Sequence, residues 1–316
     1  MVISISERIR GGFWGLLVAD AVGVPYEFHD PDAIPPYEQI EMEPPVGFQR
    51  SYPHIKPGTW SDDGAQALCL LDSLLRHDAL DVSDFARRIA AWEGEGLWAV
   101  DGLVFDVGIQ TQLAIAALNS GTPPSQSGYV NPQGKGNGAL MRVLPLALRH
   151  EGSDGELIRD AHAQAVVTHG HLTNQICCAL YCLWARRMLQ GDETVPAYVS
   201  AVATLKEHYS TMPEYMLDLA NTVKPDDEPV TDGSGYVVAT LNAARIALRQ
   251  PSYEAVVKKA IQFGHDTDTN AAVAGGLAGI RDGMEAIPTR WLEKLRGKPS
   301  AEPLLETLVK QKGKRP

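Results

Sequence analysis

Apolar residues recur along this chain with the three-to-four spacing of helices. Such patterns run through residues 6–22, 64–77, 82–92, 104–118, 138–149, 156–168, 172–190, 194–208, 235–249, 252–263 and 269–282. Alanine and leucine dominate them. Alternation with a period of two is scarce, and Asn137-Gly138 and Asp232-Gly233 lead into helical patterns instead of joining two strand-like runs. The pattern predicts an all-α fold.

Three stretches break the helices. Residues 29–57 hold Pro31, Pro35, Pro36, Pro44, Pro45, Pro53 and Pro57, and cannot form one helix. Residues 120–137 are rich in Gly, Pro, Ser and Asn, and residues 222–235 read TVKPDDEPVTDGSG. Loops of this length in a compact domain are functional or disordered. None separates two composition regimes, so a single domain over 1–316 is expected, with a frayed tail from Val309.

Charge and cysteines narrow the class. The 316 residues carry 28 basic and 39 acidic side chains, a formal net charge of −11. That balance excludes a protein that binds nucleic acid by bulk charge. Cys69, Cys177, Cys178 and Cys182 include no CxxC pair, and the last three crowd the apolar run ICCALYCLWA. They read as small buried hydrophobes in a reducing compartment. The start, MVISISERIRGGFWGLL, meets Asp20 soon after its apolar run, so neither a signal peptide nor a spanning helix is expected. A cytoplasmic protein with no membrane partner is the expectation.

Two acidic turns stand out. Gly58-Thr59-Trp60-Ser61-Asp62-Asp63-Gly64 and Gly264-His265-Asp266-Thr267-Asp268-Thr269-Asn270 each open a helical pattern. One reading is a pair of N-caps that satisfy free backbone N–H groups. Each turn supplies two carboxylates and a hydroxyl, more than a cap needs, so the other reading is a site for a hard cation such as Mg²⁺ or Mn²⁺. Small residues after each turn (Ala65 and Ala67; Ala271, Ala272, Ala274, Gly275 and Gly276) permit close approach to other backbone. Spacing alone does not bring the two turns together. A third motif, Gly134-Lys135-Gly136-Asn137-Gly138, reads either as a surface turn or as an anion cradle ahead of a helix.

The segments GGFWGLLVADAVGVPYEF, GTWSDDGAQALCLL, FDVGIQTQLAI, GKGNGALMRVLPLAL, GSGYVVATLNAA and GHDTDTNAAVAGGLAGI occur here in that order. In this set the chain resembles the ADP-ribosylglycohydrolase family, most strongly over residues 11–283. The resemblance implies a compact orthogonal helical bundle around a binuclear centre of two divalent cations, Mg²⁺ or Mn²⁺. It implies Ser61, Asp62, Asp63, Asp266, Asp268 and Thr269 as metal ligands, with Ser61 standing where many relatives have Thr. Glu27 matches an acidic residue beside the metals. Asp106 matches an acidic position facing the scissile bond in enzymes acting on arginine adducts, and Tyr236 an aromatic lining the ribose cleft. Gly136, Asn137 and Gly138 match the loop that holds diphosphate and distal ribose, and His169 a histidine near the distal end.

The implied activity is hydrolysis of the C1″ glycosidic bond of ADP-ribose on a protein side chain, arginine first. Asp62, Glu27 and Asp106 are its expected catalytic carboxylates, and an ADP-ribosylated protein its substrate. Two alternatives stay open: hydrolysis of O-linked ADP-ribose or a modified small molecule, and an immunity-type protein that binds a cognate ADP-ribosyltransferase, residues 29–57 being the candidate contact. Bland readings also stand beside individual residues. Asp106 could cap the following helix, Tyr236 could be a core aromatic, Glu27 could pair with an arginine, and Trp60 could stack or only pack. His169, His171 and His265 are left out of the metal set, and Asp226, Asp227 and Glu228 read as solvated.

Overall fold

A computed structural model describes residues 3–77 and 79–313. Among these residues there are fourteen α-helices and no strand, and two isolated bridges, Tyr129 to His169 and Gly136 to Tyr236, stitch loops together. The all-α expectation holds.

Two helices form the centre. Helix α1 (Ile5–Gly23) and helix α12 (Thr267–Asp282) are buried over most of their length. Apolar or small residues on all sides, rather than one stripe, suit a helix surrounded by protein. Their backbones touch: a Cβ on Gly11 would sit 2.1 Å from the Gly279 carbonyl oxygen, and one on Gly279 would sit 2.0 Å from that of Gly11. This contact brings the end of α1 beside the start of α12. Helix α7 (Leu172–Leu189), also buried, donates Tyr181 Oη to the α12 carbonyl of Val273 at 2.9 Å. Cys69 and the three cysteines of α7 are free and buried.

The other helices wrap this pair. They are α2 (Asp62–His77), α3 (Val82–Glu95), α4 (Ile109–Asn119), α5 (Leu144–Arg149), α6 (Asp154–Val166), α8 (Thr194–Tyr209), α9 (Pro213–Asp218), α10 (Val237–Ala247), α11 (Tyr253–Ile261), α13 (Thr289–Lys294) and α14 (Lys298–Lys312). Local signals start several of them. Ser153 and Glu156 form a reciprocal capping box on α6, and Asp81 and Ser252 cap α3 and α11.

Three expectations are corrected. The pattern at 104–118 yields a helix only from Ile109, because Asp106 adopts a left-handed φ of 56°. The pattern at 138–149 yields α5 only from Leu144; turns precede it. Of the segment from Val309, expected to fray, residues to Lys312 continue α14, because Leu305 and Leu308 are buried and Gln311 accepts from Arg149 Nε at 3.0 Å, while residues 314–316 lie outside the described residues.

The proline-rich stretch is strapped down. The Glu41 carboxylate accepts from Arg290 and, at 2.6 Å, from Trp291 Nε1, while Glu43 pairs with Lys294 at 2.8 Å. The inner end of the stretch turns back to the end of α1, where the Ser51 hydroxyl donates to the Glu27 carbonyl. Trp60 packs: it is 2% exposed and donates Nε1 to the Trp98 carbonyl.

Candidate metal centre and cleft

The two acidic turns meet. Asp63 opens α2 and Asp268 opens α12, and the end of α1 lies against both. Asp20, Asp63 and Asp268 each offer a carboxylate oxygen, all within 4.8 Å of one another, and Glu27, Asp106 and Asp268 do the same. Asp268 belongs to both groups and so joins them. The Ser61 hydroxyl donates to Asp63 Oδ2 at 3.0 Å, and the Thr269 hydroxyl donates to the same oxygen at 3.2 Å across 206 residues of sequence. Asn137 Nδ2 donates to Asp266 Oδ2 at 2.9 Å, and Gln66 Nε2 to Asp62 Oδ2 at 3.1 Å.

Burial makes this concentration of acid costly. Asp63 and Asp268 are 0% exposed and Asp62 is 6% exposed. Desolvation, reinforced by neighbouring carboxylates, holds all three well above the usual carboxylate range. Burial, then Asp106 and Asp266, pushes Glu27 up to about 11. Asp106 and Asp266 rise through burial too, though hydrogen bonds from Tyr52 and Asn137 oppose the rise. Glu27 Oε2, Asp63 Oδ1 and Asp268 Oδ2 are buried without a hydrogen-bond partner. Such orphaned acceptors cost on the order of 1–3 kcal/mol each, more when ionised. Oxygen donors only, several of them unpaired, with mutual repulsion to relieve, fit a hard divalent cation.

Several supporting residues were not legible in the sequence. Asp20, fully buried on α1, accepts from the backbone N–H groups of Ser61 (2.9 Å) and Gly64 (2.8 Å) and so fixes the first acidic turn. Burial pushes its carboxyl up to about 7. Its one signal was a carboxylate inside the otherwise apolar run from Gly11 to Gly23. The Tyr52 hydroxyl donates to Asp106 Oδ1 at 2.8 Å. Arg142, 0% exposed, donates Nη1 to Gln66 Oε1 at 2.9 Å, so a buried chain runs from Arg142 through Gln66 to Asp62. Burial lowers its guanidinium to about 10.

Backbone strain gathers at the same place. Phe28, Asp106 and His265 have φ values of 60°, 56° and 56°. Non-glycine residues hold such angles only when their surroundings impose them, at roughly 1–3 kcal/mol each. Here the Phe28 N–H donates to the His265 carbonyl at 2.6 Å and the His265 N–H to the His29 carbonyl at 2.7 Å. This clasp holds Glu27 beside Asp266.

A cleft of about 610 Å³ opens from the acidic cluster, large enough for a dinucleotide-sized ligand. Glu27, Asp62, Asp106, Asp266 and Thr269 line its inner end. Gly136, Asn137, Gly138, His169 and Tyr236 line its walls. Gln110 Oε1 accepts from the Gly136 N–H and Asn174 Nδ2 donates to the Gly136 carbonyl, 2.8 and 2.9 Å, so the glycine loop is clamped on both sides of one residue. A Cβ on Gly138 would lie 2.7 Å from His169 Cε1, so the imidazole packs on that loop. Burial drops His169 to about 3, leaving it neutral.

The bland readings resolve individually. Tyr236 is 38% exposed in the cleft wall and is not a core aromatic. Gly108, not Asp106, holds the N-cap position of α4. Among the described residues no arginine pairs with Glu27; carboxylates and Tyr52 surround it. His171 caps α7 through Nδ1, and His265 lies 3.8 Å from the Asp30 carboxylate. Asp226, Asp227 and Glu228 are exposed, with Asp226 bonded to Lys206.

The all-α scaffold closes two remote Asp-rich helix starts around one carboxylate cluster that could hold metal ions, beneath a glycine-loop cleft. Comparison with known proteins agrees. A family model described as ADP-ribosylglycohydrolase matches residues 1–316. An ADP-ribosylarginine hydrolase Tri1 of Pseudomonas putida (strain GB-1) is 29% identical, over 92% of this chain and 74% of its own. The ADP-ribosyl-[dinitrogen reductase] glycohydrolase of Rhodospirillum rubrum is 28% identical, over 92% and 91%. A solved structure titled ADP-ribosylglycohydrolase-related protein complex superposes with a TM-score of 0.75 at 31% identity, covering 97% of this chain and 98% of that one. The chain belongs to the ADP-ribosylglycohydrolase family and is a hydrolase of glycosidic ADP-ribose linkages. Among the described residues no helix is long and apolar enough to cross a membrane.

Proposed function

We propose that the protein, acting as one catalytic unit over its whole length, removes ADP-ribose from modified arginine side chains of proteins. It would use two divalent cations, Mg²⁺ or Mn²⁺, held by Ser61, Asp62, Asp63, Asp266, Asp268 and Thr269. The observation that carries this reading is the juxtaposition of Asp63 and Asp268, each fully buried with an unpartnered carboxylate oxygen. When bound, the cations would neutralise this charge and supply Lewis acidity toward ribose hydroxyls and water.

The chain's own groups then divide the work. Gly136, Asn137 and Gly138 bind the diphosphate and distal ribose, with neutral His169 packed behind them, and Tyr236 lines the ribose path. Asp62 and Glu27 orient the water. Asp106, beside Glu27 at the inner end of the cleft, meets the leaving guanidinium. Water oxygen bonds to C1″, the C1″–N bond breaks, and a water proton ends on the departing nitrogen. The transition state carries oxocarbenium character, which the surrounding carboxylates stabilise. Arginine is favoured by likeness to relatives whose names specify arginine or dinitrogen reductase. Four free, buried cysteines suit work in the cytoplasm.

Asp62→Ala tests the reading. It should abolish hydrolysis of ADP-ribosyl-arginine and weaken Mn²⁺ binding by calorimetry together. Wild-type turnover by this variant would refute the assignment, and a wild-type protein that cleaves serine-linked but not arginine-linked ADP-ribose would refute the substrate.

A further inference from the structure

Beside Asp106 the cleft wall carries Phe28, an aromatic side chain that metal binding does not use, and other aromatics brace it from behind. Tyr52 arrives from the proline-rich stretch with its hydroxyl on Asp106. Its ring lies 5.0 Å from that of Phe105, edge to face, and 6.0 Å from that of Phe28. Phe28 lines the cleft, is 67% exposed, and holds a left-handed backbone. A phenylalanine turned to solvent at a strained position gives up both burial and backbone freedom. Glu27, next in sequence to Phe28 and 3% exposed, lines the same cleft with Oε2 unpartnered. Ring faces attract cations, and a planar delocalised cation stacks on them while its N–H groups reach a carboxylate. A neutral hydroxyl leaving group gains nothing from such a wall.

We infer that Phe28, braced by Tyr52, forms the wall that receives a planar guanidinium, with Asp106 as its carboxylate, and that this wall sets the linkage specificity of the enzyme. The inference rests on the arginine reading above and names the residues that enforce it. Tyr52 acts twice. Its ring packs against that of Phe28, tilted by 59°, and its hydroxyl positions Asp106, which sits outside any helix at a left-handed φ.

The test compares wild type, Phe28→Ala and Tyr52→Phe, loaded with Mn²⁺, on arginine-linked and serine-linked ADP-ribosyl peptides. Binding of agmatine, a free guanidinium, to protein saturated with ADP-ribose is measured in parallel. Phe28→Ala should lower the arginine-to-serine ratio of kcat/KM by about twofold to thirtyfold, mainly through KM, and weaken agmatine by a similar factor. Its exposed side chain leaves Tm near wild type. Tyr52→Phe keeps the ring, so it should lower kcat on the arginine-linked peptide about tenfold or more with KM little changed. An unmoved ratio together with unmoved agmatine binding in Phe28→Ala overturns the inference. So does an equal loss on both linkages in both variants, the mark of a structural role. Wild type that binds agmatine through Phe28 yet cleaves only serine-linked ADP-ribose upholds the cation wall and overturns the arginine reading. Wild type that cleaves arginine-linked ADP-ribose, with Phe28→Ala indistinguishable from it, does the reverse.

Discussion

Gly23→Ala perturbs the joint on which the acidic cluster depends. Gly23 ends α1, and a Cβ there would lie 2.4 Å from Asp268 Cα, 2.6 Å from the Thr267 carbonyl oxygen and 2.7 Å from Asp268 N. All three are backbone atoms, so no side-chain rotation relieves the clash. Restoring ordinary contact, near 3.4 Å, requires α1 and the start of α12 to separate by about 1 Å. The Thr267 hydroxyl, which donates to the Gly23 carbonyl at 2.8 Å, resists that separation. Overpacking of this kind costs ~1–3 kcal/mol. The functional effect should be larger, because metal ligands tolerate displacements of only ~0.2 Å and a misplacement of ~1 Å can cost about a hundredfold in rate. A thermal melt should show a drop of a few degrees, while turnover of ADP-ribosyl-arginine falls about a hundredfold. Gly94→Ala is the control: it lies on α3 with nothing within 4 Å of the added Cβ, and it should keep full activity and gain slightly in stability. A folded Gly23→Ala enzyme within threefold of wild-type turnover would refute the claim that this contact sets the register of the two turns.

Two further outcomes follow from the charge buried around that joint. Asp20 stands at about 7 in the folded protein against an ordinary 3.8. Its share of stability is therefore complete below about pH 4 and is lost as pH climbs toward 7, a swing on the order of 4 kcal/mol. The gap in Tm between Mn²⁺-loaded and metal-free protein should widen from pH 4 to 7; a gap that narrows would contradict this. Arg142→Met strands the acceptors Gln66 Oε1, Gln164 Oε1 and the Gln164 carbonyl. It should cost about 2 kcal/mol or more by urea denaturation and weaken Mn²⁺ binding, since Gln66 then loses its hold beside Asp62. Unchanged values of both would show that this chain of contacts does not position the carboxylate.

Much of the molecule was readable along the chain. Helical spacing located most elements, because an amphipathic or fully apolar helix writes its period locally. Short helices such as α9 and α13 escaped, since six residues are too few to display a period, and the fifteen-residue α14 was missed as well. The Asp-rich turns announced themselves by holding more carboxylates than a cap requires. What tertiary structure alone decided was their meeting. Asp20 reaches Ser61 across 41 positions, Tyr52 reaches Asp106 across 54, and Arg142 reaches Gln66 across 76. No periodicity encodes such distances. They arise from the close glycine contact of α1 with α12 and from the strap that returns residues 51–52 to the cleft. Local sequence chose which side chains carry oxygen, whereas long-range packing chose which of those oxygens share a space too small for their charge.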